Sequence, residues 1–358
     1  MKIRSFVRWF VVSLLCVAPG FAAGELLQLE VDDQNQTAVR ELNDTISPLP
    51  PGSPLGFPAA VFAPIDDMLA NARVVGLGEA THGTAEFFEL KHRLFRHLVQ
   101  VHDHQALGYE FSFAASLALD RYVMGGEGSL DELLSGLSWI QANQQVCALL
   151  EWMREHNSTQ PQEHRIHFIG IDSQLDMWNL GLHRSIFRNR FPELGRELER
   201  FFDELGTLGK IDYRTLSEGD SDRIARLLAE MASTVDRRAA DLPREQRLVA
   251  RHLIEALQRS HEFLLSAYQG DNNVRDRHLA ENALWVGELL GNDAQYSIWA
   301  HNSHIGNNPG FHGKKGPGSM GYSSLADWAR RTCASPPPSP AVPSWRSRPI
   351  GVAETPRR

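Results

Sequence analysis

RVVGLGEATHGTAEFFELKHRLFRHLVQ, residues 73–100, is the stretch whose reading decides the fold. It opens with a short apolar run rich in valine, breaks at Gly76 and Gly78, and resumes with apolar residues at 87, 88, 90, 94, 95, 98 and 99. The first part has the character of a buried strand and the second the period of a helix, so the whole reads strand–turn–helix. Thr84 stands where the helix needs an N-cap. Between the two elements lie Glu79 and His82, three residues apart.

The same theme recurs. QALGYE (105–110), RIHFIGID (165–172) and QYSIWAHN (295–302) are short apolar runs separated by helical patterns such as 113–124, 144–156 and 176–190. Short hydrophobic strands alternating with helices predict an α/β fold with a mostly parallel central sheet flanked by helices. The segment from about 176 to 291 is almost entirely amphipathic and helical, which predicts a large helical cap or insertion. The chain shows no internal repeat.

Composition bounds the function. The 358 residues are 42% hydrophobic and 22% charged, with formal net charge −8, as expected of a globular protein without affinity for nucleic acid. Residues 1–23 begin with Lys2, Arg4 and Arg8, continue with an apolar run and end in small residues. This is the layout of a secretory signal with cleavage near Ala22/Ala23. The run is short of the roughly 20 residues needed to span a bilayer, so the expectation is a periplasmic or secreted protein without stable membrane insertion. Cys147 reads as a small buried hydrophobe, and a Cys147–Cys333 bond has no support beyond the compartment. Residues 332–358 are proline-rich and lack hydrophobic periodicity, which predicts a disordered tail after a domain spanning 24–331.

In open parallel sheets ligands bind beyond the carboxyl ends of the strands. All four predicted strands end there in groups able to move a proton or bind a metal: Glu79 and His82, Glu110, Asp172, and His301 with His304. A carboxylate beside an imidazole orients it and raises its basicity, as a general base requires. Glu110 alone reads as a surface residue, and Asp172 equally as a helix cap. Lys91 falls on the apolar face of its helix. It either snorkels to water or turns inward to pair a carboxylate or stabilise an oxyanion. His92, Arg93, Arg96 and His97 read as solvated face, and His102, His104, His164 and His167 carry no assigned role.

Five blocks in order, VVGLGEATHGTAEFFELKHRLFRHLV, ALGYEFSFAAS, FIGIDSQ, VRDRHLAENALWV and IWAHNSHIGN, resemble the erythromycin esterase family, including members named as succinoglycan biosynthesis proteins. The resemblance runs from about 67 to about 328. It extends in fold to a haem-binding lipoprotein group and to a set of metal-dependent proteases. It implies a hydrolase of a (macro)lactone or other small-molecule carboxylic ester, without cofactor. His82 would be the base that activates water, Glu79 its orienting partner, and Glu110 a member of the same cluster. His301 and His304 would bind and polarise the ester, with Lys91, Asp172, Arg275 and Asp276 supporting. Lys91 stands where the family often has arginine, which replaces a planar fork by a point charge. The match stops near Arg331, where the family continues, and reads as a truncated or frame-shifted end. Two other readings stand beside it: a metal-dependent hydrolase built on the same Glu/His cluster, and a non-enzymatic binder of haem or a glycan. The oligomeric state is not encoded in any feature of the sequence.

Overall fold

The computed structural model describes residues 59–305 except 71, 136, 138–139, 141, 209–211, 269–272 and 292, together with 54 and 10–12. The strands are β1 (Phe10–Val12), β2 (Val74–Glu79), β3 (His104–Ser112), β4 (His167–Asp172) and β5 (Gln295–His301). They form one sheet in the order β1-β2-β5-β3-β4, and every neighbouring pair is parallel. β1 is a three-residue edge strand paired with Val75–Leu77. It lies inside the stretch that reads as a leader; the remainder of that stretch, Cys333 and the proline-rich tail lie outside the described residues.

Helices cover both faces. They are α1 (Ala63–Leu69), α2 (Ala85–His102), α3 (Phe113–Val123), α4 (Leu130–Leu134), α5 (Gln144–Thr159), α6 (Leu180–Arg190), α7 (Pro192–Leu208), α8 (Glu218–Arg238), α9 (Arg244–Tyr268), α10 (Asn273–Leu290) and α11 (Asn302–Ile305). Alternation along the strands divides the core. Val75, Leu77, Leu107, Tyr109, Phe168 and Trp299 face α2 and α5, whereas Ala106, Ile169, Ile171, Ile298 and Ala300 face the side on which α6–α10 pack. Burial on both faces explains why β2 and β4 are apolar almost throughout. Helices α6–α10 form the expected helical insertion between β4 and β5.

Four local expectations need correcting. His92, Arg93 and His97 are buried, not solvated, because neighbours cover the polar side of α2. Trp152 of α5 packs on His92 and Phe62 on His97. Thr84 occupies the N-cap position but makes no side-chain cap; its hydroxyl bonds Thr81 at 2.6 Å. β3 does not end on Glu110 but continues to Ser112, with a register irregularity against β4 after Tyr109. Cys147 is only half-buried, at the edge of the α2-side core.

α5 is locked to the sheet by buried Asn157. Its Nδ2 donates to the carbonyls of Val123 (3.2 Å) and Ile166 (2.9 Å), and its Oδ1 accepts from the Ile166 N–H (2.8 Å). Asn157→Leu strands these backbone groups away from water and is expected to destabilise the fold by about 3 kcal/mol in urea denaturation. A loss below about 1 kcal/mol would contradict this role.

Candidate active site

The order of the strands creates the site. β5 comes last in the sequence yet inserts between β2 and β3, so its carboxyl end meets both of theirs. The register pairs Glu79 directly with His301, and Glu110 of β3 accepts the His301 backbone N–H at 2.8 Å. Asp172 ends β4 on the next strand. Glu79, His82, Glu110, Asp172, Arg275, Asp276, His301 and His304 are linked in one region of the sheet edge. Two glycines permit the approach. A Cβ at Gly78 would collide with the Asn302 side chain, and Gly83 turns the chain toward α2 with φ of 78°.

Glu79 is 3% exposed and its two oxygens have different tasks. Oε1 contacts His82 Nδ1 at 2.7 Å; Oε2 accepts from Lys91 Nζ at 2.7 Å and from the Trp299 indole N–H at 3.4 Å. Burial alone would raise the Glu79 carboxyl, but the His82 hydrogen bond and the Lys91 ammonium hold it below its ordinary range. The alternatives for Lys91 are thus decided: it is buried and turned inward. Nζ also donates to the Leu77 carbonyl at 3.3 Å and lies 4.3 Å from the Trp299 ring centroid. Burial pulls Lys91 down to about 8 against the opposing pull of Glu79.

A Glu79 carboxylate on Nδ1 fixes His82 as the Nδ1–H tautomer and leaves Nε2 as a lone pair. The His82 side chain is 35% exposed and lines a cleft of about 460 Å³. The Glu79 hydrogen bond is the largest influence on His82 and raises its pKa; burial opposes this and Glu110 adds to it.

A second cluster centres on Arg275 of α10. Its Nη2 donates to Glu110 and Asp172, both at 2.7 Å, Nε to Asp172 at 3.3 Å and Nη1 to His304 Nε2 at 2.8 Å. A guanidinium has five N–H groups; one on Nη1 is left over beside the cleft that Arg275 lines. Burial would raise the Glu110 carboxyl, but His304, Arg275 and the His301 N–H keep it low. Asp172 both braces Arg275 and caps the following turn, accepting from the Gln174 N–H at 2.9 Å.

His301 and His304 are committed to protein partners. His301 Nδ1 accepts from the Ser303 N–H at 3.1 Å, and Nε2 faces the Ala80 carbonyl at 3.0 Å. His304 Nδ1 lies 2.5 Å from Asp276 and Nε2 accepts from Arg275. Neither ring lines the cleft, although His301 packs against His82 with centroids 4.9 Å apart.

Sequence reasoning missed the walls. Tyr109, Phe111 and Ser112 of β3, Leu137 and Ile140 before α5, and Leu175 before α6 line the cleft. The available signal was position, since three of them flank Glu110 and one closely follows Asp172. Removing the ammonium with Lys91→Met leaves the buried Glu79 carboxylate with only the His82 and Trp299 N–H groups as partners. It is expected to cost about 3–5 kcal/mol of stability in chemical denaturation. A neutral result would show that Lys91 does not carry the Glu79 charge.

Comparison with known proteins identifies the family and the fold. The erythromycin esterase family model matches residues 99–323, a range that begins after the Glu79–Lys91 block. The chain is 25% identical over 272 residues to erythromycin esterase type II of Escherichia coli, covering 69% of this chain and 64% of that relative's length. Among solved structures it is similar to a succinoglycan biosynthesis protein (23% identity, TM-score 0.66, 83% of this chain and 72% of the other). A Bacillus cereus protein gives 22% identity and TM-score 0.69 over 82% and 72%. An erythromycin esterase EreC mutant in its open conformation gives 19% and 0.58 over 76% and 72%. These three likenesses show the shared α/β fold. With the family model covering more than half of its length, the chain belongs to the erythromycin esterase family.

Proposed function

We propose that this chain is an exported ester hydrolase that opens a (macro)lactone or other carboxylic ester by general-base activation of water at His82. One observation carries the reading: a buried carboxylate, itself neutralised by a buried ammonium, bonds one nitrogen of a half-exposed imidazole that lines a cleft. Membership of the family supports a hydrolase of this type. The name of the Escherichia coli relative supports a macrolactone among the substrates, and the apolar walls Phe111, Leu137, Ile140 and Leu175 suit a large, partly apolar one. An exported enzyme would equally meet envelope or polysaccharide esters.

His82 Nε2 takes a proton from water as the water oxygen bonds the ester carbonyl carbon. The carbonyl π pair moves onto oxygen, and the spare N–H of Arg275, which lines the same cleft, would donate to that charge. Glu79 stabilises the imidazolium. Collapse breaks the carbon–oxygen bond to the alkoxy group, which takes the proton back from His82. Acid and alcohol result, joined in one molecule when the substrate is a lactone. His301, His304 and Asp276 position His82 and Arg275 and do not touch substrate.

The metal-dependent reading has less support, because the Lys91 ammonium and the Arg275 guanidinium already occupy the carboxylates a cation would need. Both Glu79 oxygens and both ring nitrogens of His301 and of His304 are engaged.

Hydrolysis of erythromycin and of a panel of simple esters by the purified chain tests the proposal. His82→Ala is expected to lower turnover by about 10²–10⁴-fold, and a chelator to leave it unchanged. Full activity in the folded variant would refute the role of His82, and loss to chelator with restoration by metal would favour the metal reading. N-terminal sequencing of secreted material tests cleavage near Ala22/Ala23. The pH profile supplies a further check. A base works deprotonated and His82 is raised above 6.5, so the acid limb of kcat/KM should lie above that value. Glu79→Gln removes the largest cause of the rise and should move the limb to lower pH.

A further inference from the structure

We propose that Asp66, His97 and His102 form a structural site for one divalent transition-metal ion, with zinc the best match to the donor set. Among the described residues they are the group of three whose ligand atoms, one carboxylate oxygen and two imidazole nitrogens, all lie within 4.8 Å of one another. Both imidazoles present the same atom, Nε2, to the same oxygen: His97 at 2.5 Å and His102 at 3.0 Å from Asp66 Oδ1. In a tetrahedral zinc site with bonds of about 2.0–2.1 Å, neighbouring ligand atoms stand about 3.3 Å apart. A shift of less than about 1 Å at each ligand would admit the ion.

The surroundings favour a cation held by ordered ligands. The two histidine side chains are 3% and 7% exposed, and Phe62 packs on the His97 ring, so their directions are fixed. Asp66 is 33% exposed, which leaves an approach for the ion and a place for a water as fourth ligand. His102 is the last residue of α2, and the carbonyl end of a helix attracts positive charge.

Position makes the role structural. α2 leaves the carboxyl end of β2, where the active site lies, and returns over 18 residues, about 27 Å, to the start of β3. The site therefore sits at the opposite end of the sheet from His82. Its ligands come from two helices, so an ion there would clamp α1 onto the end of α2.

The test uses the full chain purified without a polyhistidine tag and Co(II) as a spectroscopic probe for zinc. Visible ligand-field bands saturating at one equivalent, displaced by Zn(II), are expected for the parent and for His82→Ala. They should be lost in Asp66→Asn and in His102→Ala, each shown to be folded by circular dichroism. Zn(II) at a hundredfold excess over Kd should raise Tm by about 5 °C in the parent and not in Asp66→Asn. Absence of a bound equivalent in folded parent protein would overturn the proposal. So would an equivalent that survives both Asp66→Asn and His102→Ala.

Discussion

The carboxylate of Glu79 is the constraint on which the site depends. It is fully enclosed at the end of β2, and an enclosed charge is tolerated only with compensating partners. Lys91 neutralises one oxygen from α2, Trp299 of β5 adds an N–H to the same atom, and the other oxygen is thereby reserved for His82. Strand, helix and a sequence-distant strand thus converge on one group. The lysine compensates a buried anion whose other oxygen holds the His82 imidazole. That arrangement explains why a cation appears among phenylalanines on the apolar face of α2.

The second half of the site is built on the same logic with signs exchanged. Arg275 is a half-buried cation held by Glu110, Asp172 and His304, and those partners come from three different elements. The two halves meet through His301, whose backbone N–H bonds Glu110 while its ring packs on His82. An imidazole and a held guanidinium line the same cleft, the arrangement on which the proposed water attack on a carbonyl carbon rests.

Much of this was legible in the sequence, and the reason is that strand ends carry their own markers. Glu79, Asp172 and His301 each close a short apolar run and Glu110 lies two residues before the end of another, and a parallel sheet delivers such residues to one edge whatever the order of its strands. The strand order itself was not legible. The insertion of β5 between β2 and β3, which pairs Glu79 with His301, rests on long-range packing that no local pattern encodes. The polar side of α2 misled for the same reason: His92, Arg93 and His97 look solvated until α5 and Phe62 are in place. The competition over Lys91 between snorkelling and pairing turned on the burial of Glu79, which spacing alone does not give. Cleft walls such as Phe111 and Leu175 carry no titratable mark and were indistinguishable from core.

The most direct test of the account is a nitrogen-15 NMR titration of the His82 imidazole. The account predicts that neutral His82 carries its proton on Nδ1, leaves Nε2 unprotonated, and titrates above the ordinary histidine value of 6.5. A neutral ring protonated on Nε2, or a pKa below that value, would contradict the claim that Glu79 prepares His82 to be the base.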